Sequence, residues 1–182
     1  WGYYLEPQLR FVDNEYKFNQ ANLYAGFYKN VSDATSLWFG VMRRYEQKSN
    51  GDIFLENRIW EQVVTELIKK ENVEFVSRSR LEQRKNVENT RLANRFRQRF
   101  TLKLPLSVGP RYYFVIADEV FIQLNQPEWV SQRVFSENRA AIGIEVPINK
   151  IASYEVGYLN QYQFGNPNQM GNVVYFNLVV KM

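Results

Sequence analysis

Apolar and polar residues alternate along most of this chain, most clearly between residues 76 and 103. Charged residues occupy every second position of two neighbouring runs, Arg78, Arg80, Glu82 and Arg84 in the first and Arg95, Arg97 and Arg99 in the second. A period of two is typical of extended strands, because successive side chains leave a strand on opposite sides. The intervening positions include Leu81, Phe96 and Phe100. The pattern predicts a hairpin with one charged face and one apolar face.

The same period recurs along the rest of the chain and predicts ten strands. Leu37, Phe39 and Val41 alternate with polar or small residues, for example, and turn signals such as residues 49–51 separate the segments. We therefore expect one domain, residues 1–182, folded as an antiparallel up-and-down sheet. Residues 58–70 are ambiguous, because their apolar residues fit the i, i+4 spacing of a helix as well as a strand pattern.

The predicted connections alternate in length. Those after odd-numbered strands are polar or long, as at residues 125–132 and 164–172, whereas those after even-numbered strands are mostly shorter and often contain proline. This alternation is typical of outer-membrane barrels, which have long loops outside the cell and short periplasmic turns. Both chain termini are then expected on the periplasmic side.

Two structural interpretations fit the alternation. A soluble lipocalin-like ligand-binding barrel buries its apolar face, whereas a membrane barrel turns that face toward lipid. The polar face here carries arginine, glutamate, amides, tyrosine and glycine, while most lysines fall in turns or at strand ends. Arginine suits paired, partly desolvated positions better than lysine does. We therefore favour an all-β fold, a single ten-stranded antiparallel up-and-down transmembrane β-barrel.

In such a barrel the charged face lines the interior. The charged residues expected there are Arg10, Arg44, Arg78, Arg80, Glu82, Arg84, Arg95, Arg97, Arg99, Glu119, Glu137, Arg139, Glu145 and Glu155. Eight strands give an interior that side chains just fill, so ten strands predict a plugged or very narrow lumen. Because arginines outnumber glutamates in the central hairpin, a narrow anion-selective channel for small solutes is the alternative.

Composition narrows the possible chemistry. The 182 residues include no cysteine and no histidine, which excludes disulfides, thiolate chemistry and the usual general base. Glutamates can perform acid–base catalysis, but glutamates interleaved with arginines are more typical of neutralising pairs. We therefore expect no catalytic residue, no cofactor and no metal site.

Short motifs along the chain resemble those of a bacterial family of unknown function, number 2490, whose members are predicted outer-membrane barrels. The motifs are Arg78, Arg80–Arg84, Arg95–Arg97, Arg99, Asp118, Glu119, Phe121, Asn138, Arg139, Gly157, Tyr158, Asn160 and Gln161. The resemblance implies a location in the outer membrane of a Gram-negative bacterium. That family has no established activity, so the resemblance implies no catalytic residue.

The expected partners are outer-membrane lipid or lipopolysaccharide, and another envelope protein. Aromatic residues near segment ends resemble interfacial girdles, namely Trp1, Tyr3, Tyr16, Tyr45, Tyr112, Trp129 and Tyr162. An exposed Trp129 would suit contact with a partner. No nucleic acid is expected, because a single-strand binder interleaves stacking aromatics with its basic residues on one face.

Overall fold

The computed structural model describes residues 1–12, 17–47, 51–70, 73–106, 112–149 and 152–180. The strands are β1 (Gly2–Val12), β2 (Lys17–Asn30), β3 (Thr35–Gln47), β4 (Ile53–Lys70), β5 (Val73–Asn86), β6 (Ala93–Pro105), β7 (Tyr113–Gln123), β8 (Phe135–Pro147), β9 (Ala152–Gln163) and β10 (Gln169–Val180). Each strand pairs antiparallel with its neighbours in sequence order, so the predicted ten-stranded up-and-down sheet is confirmed. No helix in these ranges is long and apolar enough to cross a membrane.

Residues 58–70 all belong to strand β4. Ile59 pairs with Val41 of β3 and with Gln83 of β5, and similar pairs run along the strand. A bulge between Glu66 and Ile68 shifts the register by one residue. A bulge moves the following side chains to the other face. The alternation of apolar and polar residues therefore shifts by one position at the bulge, and the apolar residues of this segment also fit the spacing of a helix.

The connections follow the predicted alternation with two corrections. The longest, residues 124–134, joins β7 to β8, but the link from β6 to β7 (106–112) is longer than expected after an even-numbered strand. The predicted loop 164–172 is too long, because Gln169 pairs with Gln163 and begins β10. The side chain of Arg10 and all of Tyr16 lie outside the described part of the chain.

The sheet curls so that distant strands meet. Tyr4 of β1 and Trp60 of β4 are three strands apart, yet their ring centroids are 6.1 Å apart. Neighbouring strands are separated by about 4.8 Å, so three steps across a flat sheet would place these side chains about 14 Å apart. Among the described residues no pair joins β1 to β10, so closure into a complete ring remains a prediction.

The two faces of the curled sheet differ in chemistry. On the face toward the centre of curvature, hereafter the inner face, Glu82 is 0% and Arg97 5% exposed. On the outer face, Ile116 and Ile142 are 39% and 51% exposed, and many other large apolar side chains are exposed as well. This distribution is the reverse of the one expected for a lipocalin-like barrel, whose apolar face is buried.

Candidate functional site

A buried network of arginines and glutamates occupies the middle of the inner face, and Glu82 lies at its centre. Glu82 Oε2 accepts from Arg95 Nη2 at 2.5 Å, and Oε1 accepts from Arg97 Nη1 at 2.7 Å. Arg58 Nη1 lies 3.5 Å and Arg80 Nη1 4.0 Å from the same carboxylate. The alternation of β5 and its neighbours aims these side chains inward, so one carboxylate is shared by four guanidinium groups from three strands.

Two further glutamates extend the network to either side. Glu56 of β4 accepts hydrogen bonds at 2.6 Å from the Nε atoms of both Arg58 and Arg84. Glu119 of β7 accepts hydrogen bonds from Arg97 Nε at 2.9 Å and from Arg78 Nη2 at 2.8 Å. Contacts of this kind are strong charge-assisted hydrogen bonds. They tie β4, β5, β6 and β7 together from the inside.

Phe121 is an apolar support within the charged region. It is 0% exposed, and the guanidinium carbons of Arg95, Arg97 and Arg139 lie 4.6 to 4.9 Å from its ring centroid. A cation over an aromatic face is attracted by the ring quadrupole. Phe121 therefore stabilises three arginines in a region that has fewer carboxylates than guanidinium groups.

An aromatic cluster fills the inner face on the side of β1 to β4. Trp60 is 0% exposed and packs with Tyr24 and Met42, and Tyr4 and Trp38 lie against this group. A Cβ atom on Gly40 would lie 2.2 Å from Cζ2 of Trp60. The missing side chain of Gly40 is thus what makes room for the indole ring.

The long β7–β8 connection folds over one end of the inner face. The indole of Trp129 donates to the carbonyl oxygen of Arg91 at 3.1 Å. Its ring lies 5.3 Å from the guanidinium carbon of Arg84 and 6.4 Å from the ring centroid of Phe54. Trp129 is half-buried rather than exposed, because its ring packs against the strand ends that it covers, and its contact with a partner stays a prediction.

A polar cavity of about 160 Å³ lies on the inner face, at the end of the sheet that carries the connections after odd-numbered strands. Amides from β1, β2 and β9 and arginines from β3 and β8 line it, among them Gln8, Asn22, Arg44, Arg139 and Gln163. Arg58, Arg95 and Arg97 of the buried network form part of its wall. Below them, the network and the aromatic cluster fill the described interior.

The structure places most of the predicted charged residues in three groups. The central network contains Arg78, Arg80, Glu82, Arg84, Arg95, Arg97 and Glu119. Arg44, Glu137 and Arg139 line the cavity. Glu145 pairs with Lys103, Glu155 accepts from the Tyr175 hydroxyl, and Arg99 donates to Thr101 Oγ1, all toward the end of the even-strand connections.

The sequence analysis missed Glu56 and Arg58, both buried in the network. They lie in regular alternation with Trp60 and Gln62, so the period of two alone identifies them once β4 is assigned as a strand. It named Phe121 only as part of a family motif and did not assign Trp60 to the inner face, because no charge pattern marks a buried aromatic residue.

Comparison with known proteins gives three similarities. A family model described as "Protein of unknown function (DUF2490)" matches residues 1–172. An uncharacterised protein of Methylorubrum extorquens is 29% identical over 162 residues, which is 88% of this chain and 71% of that protein. A crystal structure of the NanC porin aligns with a TM-score of 0.58 over 100% of this chain and 87% of its own, at 11% identity. At that identity the likeness concerns the fold alone.

Proposed function

Since this chain belongs to the DUF2490 family of proteins of unknown function, we propose on physical grounds that it is an integral outer-membrane β-barrel of a Gram-negative bacterium. The observation that supports this proposal is the inversion of the two faces, with buried charges inside and exposed apolar side chains outside. Exposure of many leucine, isoleucine, valine and phenylalanine side chains to water is unfavourable, whereas their contact with lipid acyl chains is favourable. Lipid and lipopolysaccharide are then its immediate surroundings.

Within the membrane we propose a non-catalytic role, as a structural or docking component of the cell envelope. The interior is occupied by paired side chains: Glu82, Glu119 and Glu56 each contact two or more arginines. A carboxylate held by several guanidinium groups is a poor proton acceptor, because the neighbouring cations favour its charged form. Another envelope protein is the expected partner, and no nucleic acid or cofactor is part of the proposal.

The test of a filled interior is conductance in planar lipid bilayers. Purified protein inserted into a bilayer is expected to give no steps above background, because the ion-pair network closes the path. The position of the protein in the cell is tested separately by separating inner and outer membranes, where it should co-sediment with the outer membrane.

A narrow anion-selective channel is the second candidate, and the arginine surplus of the inner face favours it. If water passes the network, the reversal potential in a salt gradient should favour anions. Replacing Arg97 with glutamate would then shift that potential toward cations, whereas Arg43→Glu, a change at an exposed residue on the outer face of β3, should not. Absence of conductance in wild-type protein rejects the channel.

A further inference from the structure

The cavity on the inner face is lined by more positively than negatively charged side chains. Its wall contains five arginines and only two glutamates, Glu46 and Glu137. The glutamates of the buried network, Glu56, Glu82 and Glu119, do not neutralise this positive charge. They also contact three further arginines, Arg78, Arg80 and Arg84. The cavity and network together hold eight arginines and five glutamates: Arg44, Arg58, Arg78, Arg80, Arg84, Arg95, Arg97 and Arg139 against Glu46, Glu56, Glu82, Glu119 and Glu137. Buried charge is costly unless it is paired.

Two of the five arginines that line the cavity, Arg44 and Arg139, retain hydrogen-bonding capacity. Arg44 pairs through Nη2 with Glu46, while its buried Nε has no hydrogen-bond partner among the described residues. Arg139 pairs through Nε with Glu137 and lies over the ring of Phe121. A guanidinium group carries five N–H donors, so a single carboxylate contact leaves donors for a further acceptor.

Side-chain amides form an ordered wall next to these arginines. Gln20 Nε2 donates to Asn22 Oδ1 at 2.9 Å, and Asn22 Nδ2 donates to Gln8 Oε1 at 3.2 Å. Gln8 Nε2 in turn donates to Glu6 Oε1 at 2.6 Å. These bonds fix the orientation of the amides before any ligand enters, which lowers the entropic cost of binding.

We propose that this cavity binds a small free oxyanion, a carboxylate or phosphate group held by Arg44 and Arg139. Guanidinium groups match the oxygen spacing of both anions and can bind them bidentately. The ligand is a free solute rather than a lipid headgroup, because the cavity lies on the inner face, away from the apolar outer surface. This inference goes beyond the proposed envelope role and holds whether or not the interior conducts.

The test is a titration of the full chain in detergent with inorganic phosphate, at constant ionic strength maintained with sodium chloride. Isothermal titration calorimetry should show saturable binding to wild-type protein. In the Arg44→Gln/Arg139→Gln double variant the half-saturating concentration should rise at least tenfold. Arg43→Gln is the matched control, because Arg43 is the exposed neighbour of Arg44 on the opposite face of β3, and its titration should match wild type.

A second measurement keeps the test decisive if the double variant does not fold. In wild-type protein labelled with ¹⁵N, phosphate should shift arginine Nε resonances saturably, while glycerol at equal concentration should not. The proposal is rejected if wild-type protein shows neither saturable heat nor shifted Nε resonances. It is also rejected if the double variant and Arg43→Gln respond alike, which would indicate a general salt effect.

Discussion

At the residue scale, the interior depends on glutamates that each neutralise several arginines. Glu82 is 0% exposed and has arginine nitrogens from three strands within 4.0 Å. Removing its charge leaves buried guanidinium groups unpaired, and this loss costs more than the pair itself contributes. Glu145, whose side chain is 18% exposed and pairs with Lys103, provides a comparison near the end of the sheet.

We expect Glu82→Gln to lower the free energy of unfolding by about 3 to 5 kcal/mol, the range for breaking a buried ion pair. Glu145→Gln should lower it by less than about 1 kcal/mol, because its pair is more hydrated. Urea unfolding of both variants in detergent micelles, followed by tryptophan fluorescence, measures the difference. Equal effects of the two substitutions would show that Glu82 is not the centre of the network.

The contact between Gly40 and Trp60 is a second residue-scale feature. We expect Gly40→Ala to destabilise the fold by about 1 to 3 kcal/mol, because an added methyl group overpacks a tight interior. Gly171→Ala is the control, since its new Cβ would be 4.0 Å from the nearest atoms. The same unfolding assay applies, and a Gly40→Ala variant as stable as Gly171→Ala would contradict the packing described here.

At the scale of elements, the strands were predictable and some of their details were not. Alternation identified the charged faces of β5 and β6 because both strands keep strict register along those residues. The bulge between Glu66 and Ile68 made β4 ambiguous, because a bulge depends on tertiary pairing rather than on local sequence. The packing of Trp129 was equally hidden, since its partners Phe54, Arg84 and Arg91 are distant in sequence.

The β7–β8 connection yields a prediction at this scale. Trp129→Ala removes the indole hydrogen bond and the contacts with Arg84 and Phe54, which together hold the loop over the strand ends. A loss of about 1.4 kcal/mol in local stability would raise the population of the open loop about tenfold. Trypsin should therefore cut after Arg133 about ten times faster in this variant.

Trp1→Ala is the control for that experiment, because Trp1 is 81% exposed at the start of the chain. Its cleavage rate after Arg133 should equal that of wild type. If Trp129→Ala also leaves the rate unchanged, the indole does not hold the loop in place.

At the scale of the whole molecule, the outer face determines where the protein resides. The apolar positions of that face come from nearly every strand, so alternation predicted the belt as a whole. Closure between β1 and β10, which the predicted barrel requires, stays a prediction, because the first and last strands show the same alternation whether or not they pair. Among the described residues the curl of the sheet is established by cross-sheet contacts such as Tyr4 with Trp60.

If the outer face contacts lipid, the cost of a charged substitution there should depend on how deep in the bilayer the residue lies. Ile116 lies in the middle part of β7, whereas Ile53 is the first residue of β4, next to a loop. We expect Ile116→Arg to cost about 2 to 4 kcal/mol and Ile53→Arg about 0 to 1 kcal/mol, the values for arginine at the midplane and near the interface. Folding yield into lipid vesicles measures both, and equal yields would argue against a membrane midplane at Ile116.

The most direct measurement is the environment of a single nitroxide label on the outer face, in protein reconstituted into liposomes. The chain has no cysteine, so Ile142→Cys in β8 and Asp33→Cys in the β2–β3 turn can each be labelled alone. We expect the label at position 142 to be relaxed more strongly by oxygen than by a water-soluble nickel chelate, and the label at position 33 to show the opposite. Two results would contradict a lipid-facing outer surface. Either the nickel chelate relaxes the label at position 142 as strongly as the label at position 33, or neither oxygen nor the chelate relaxes the label at position 142.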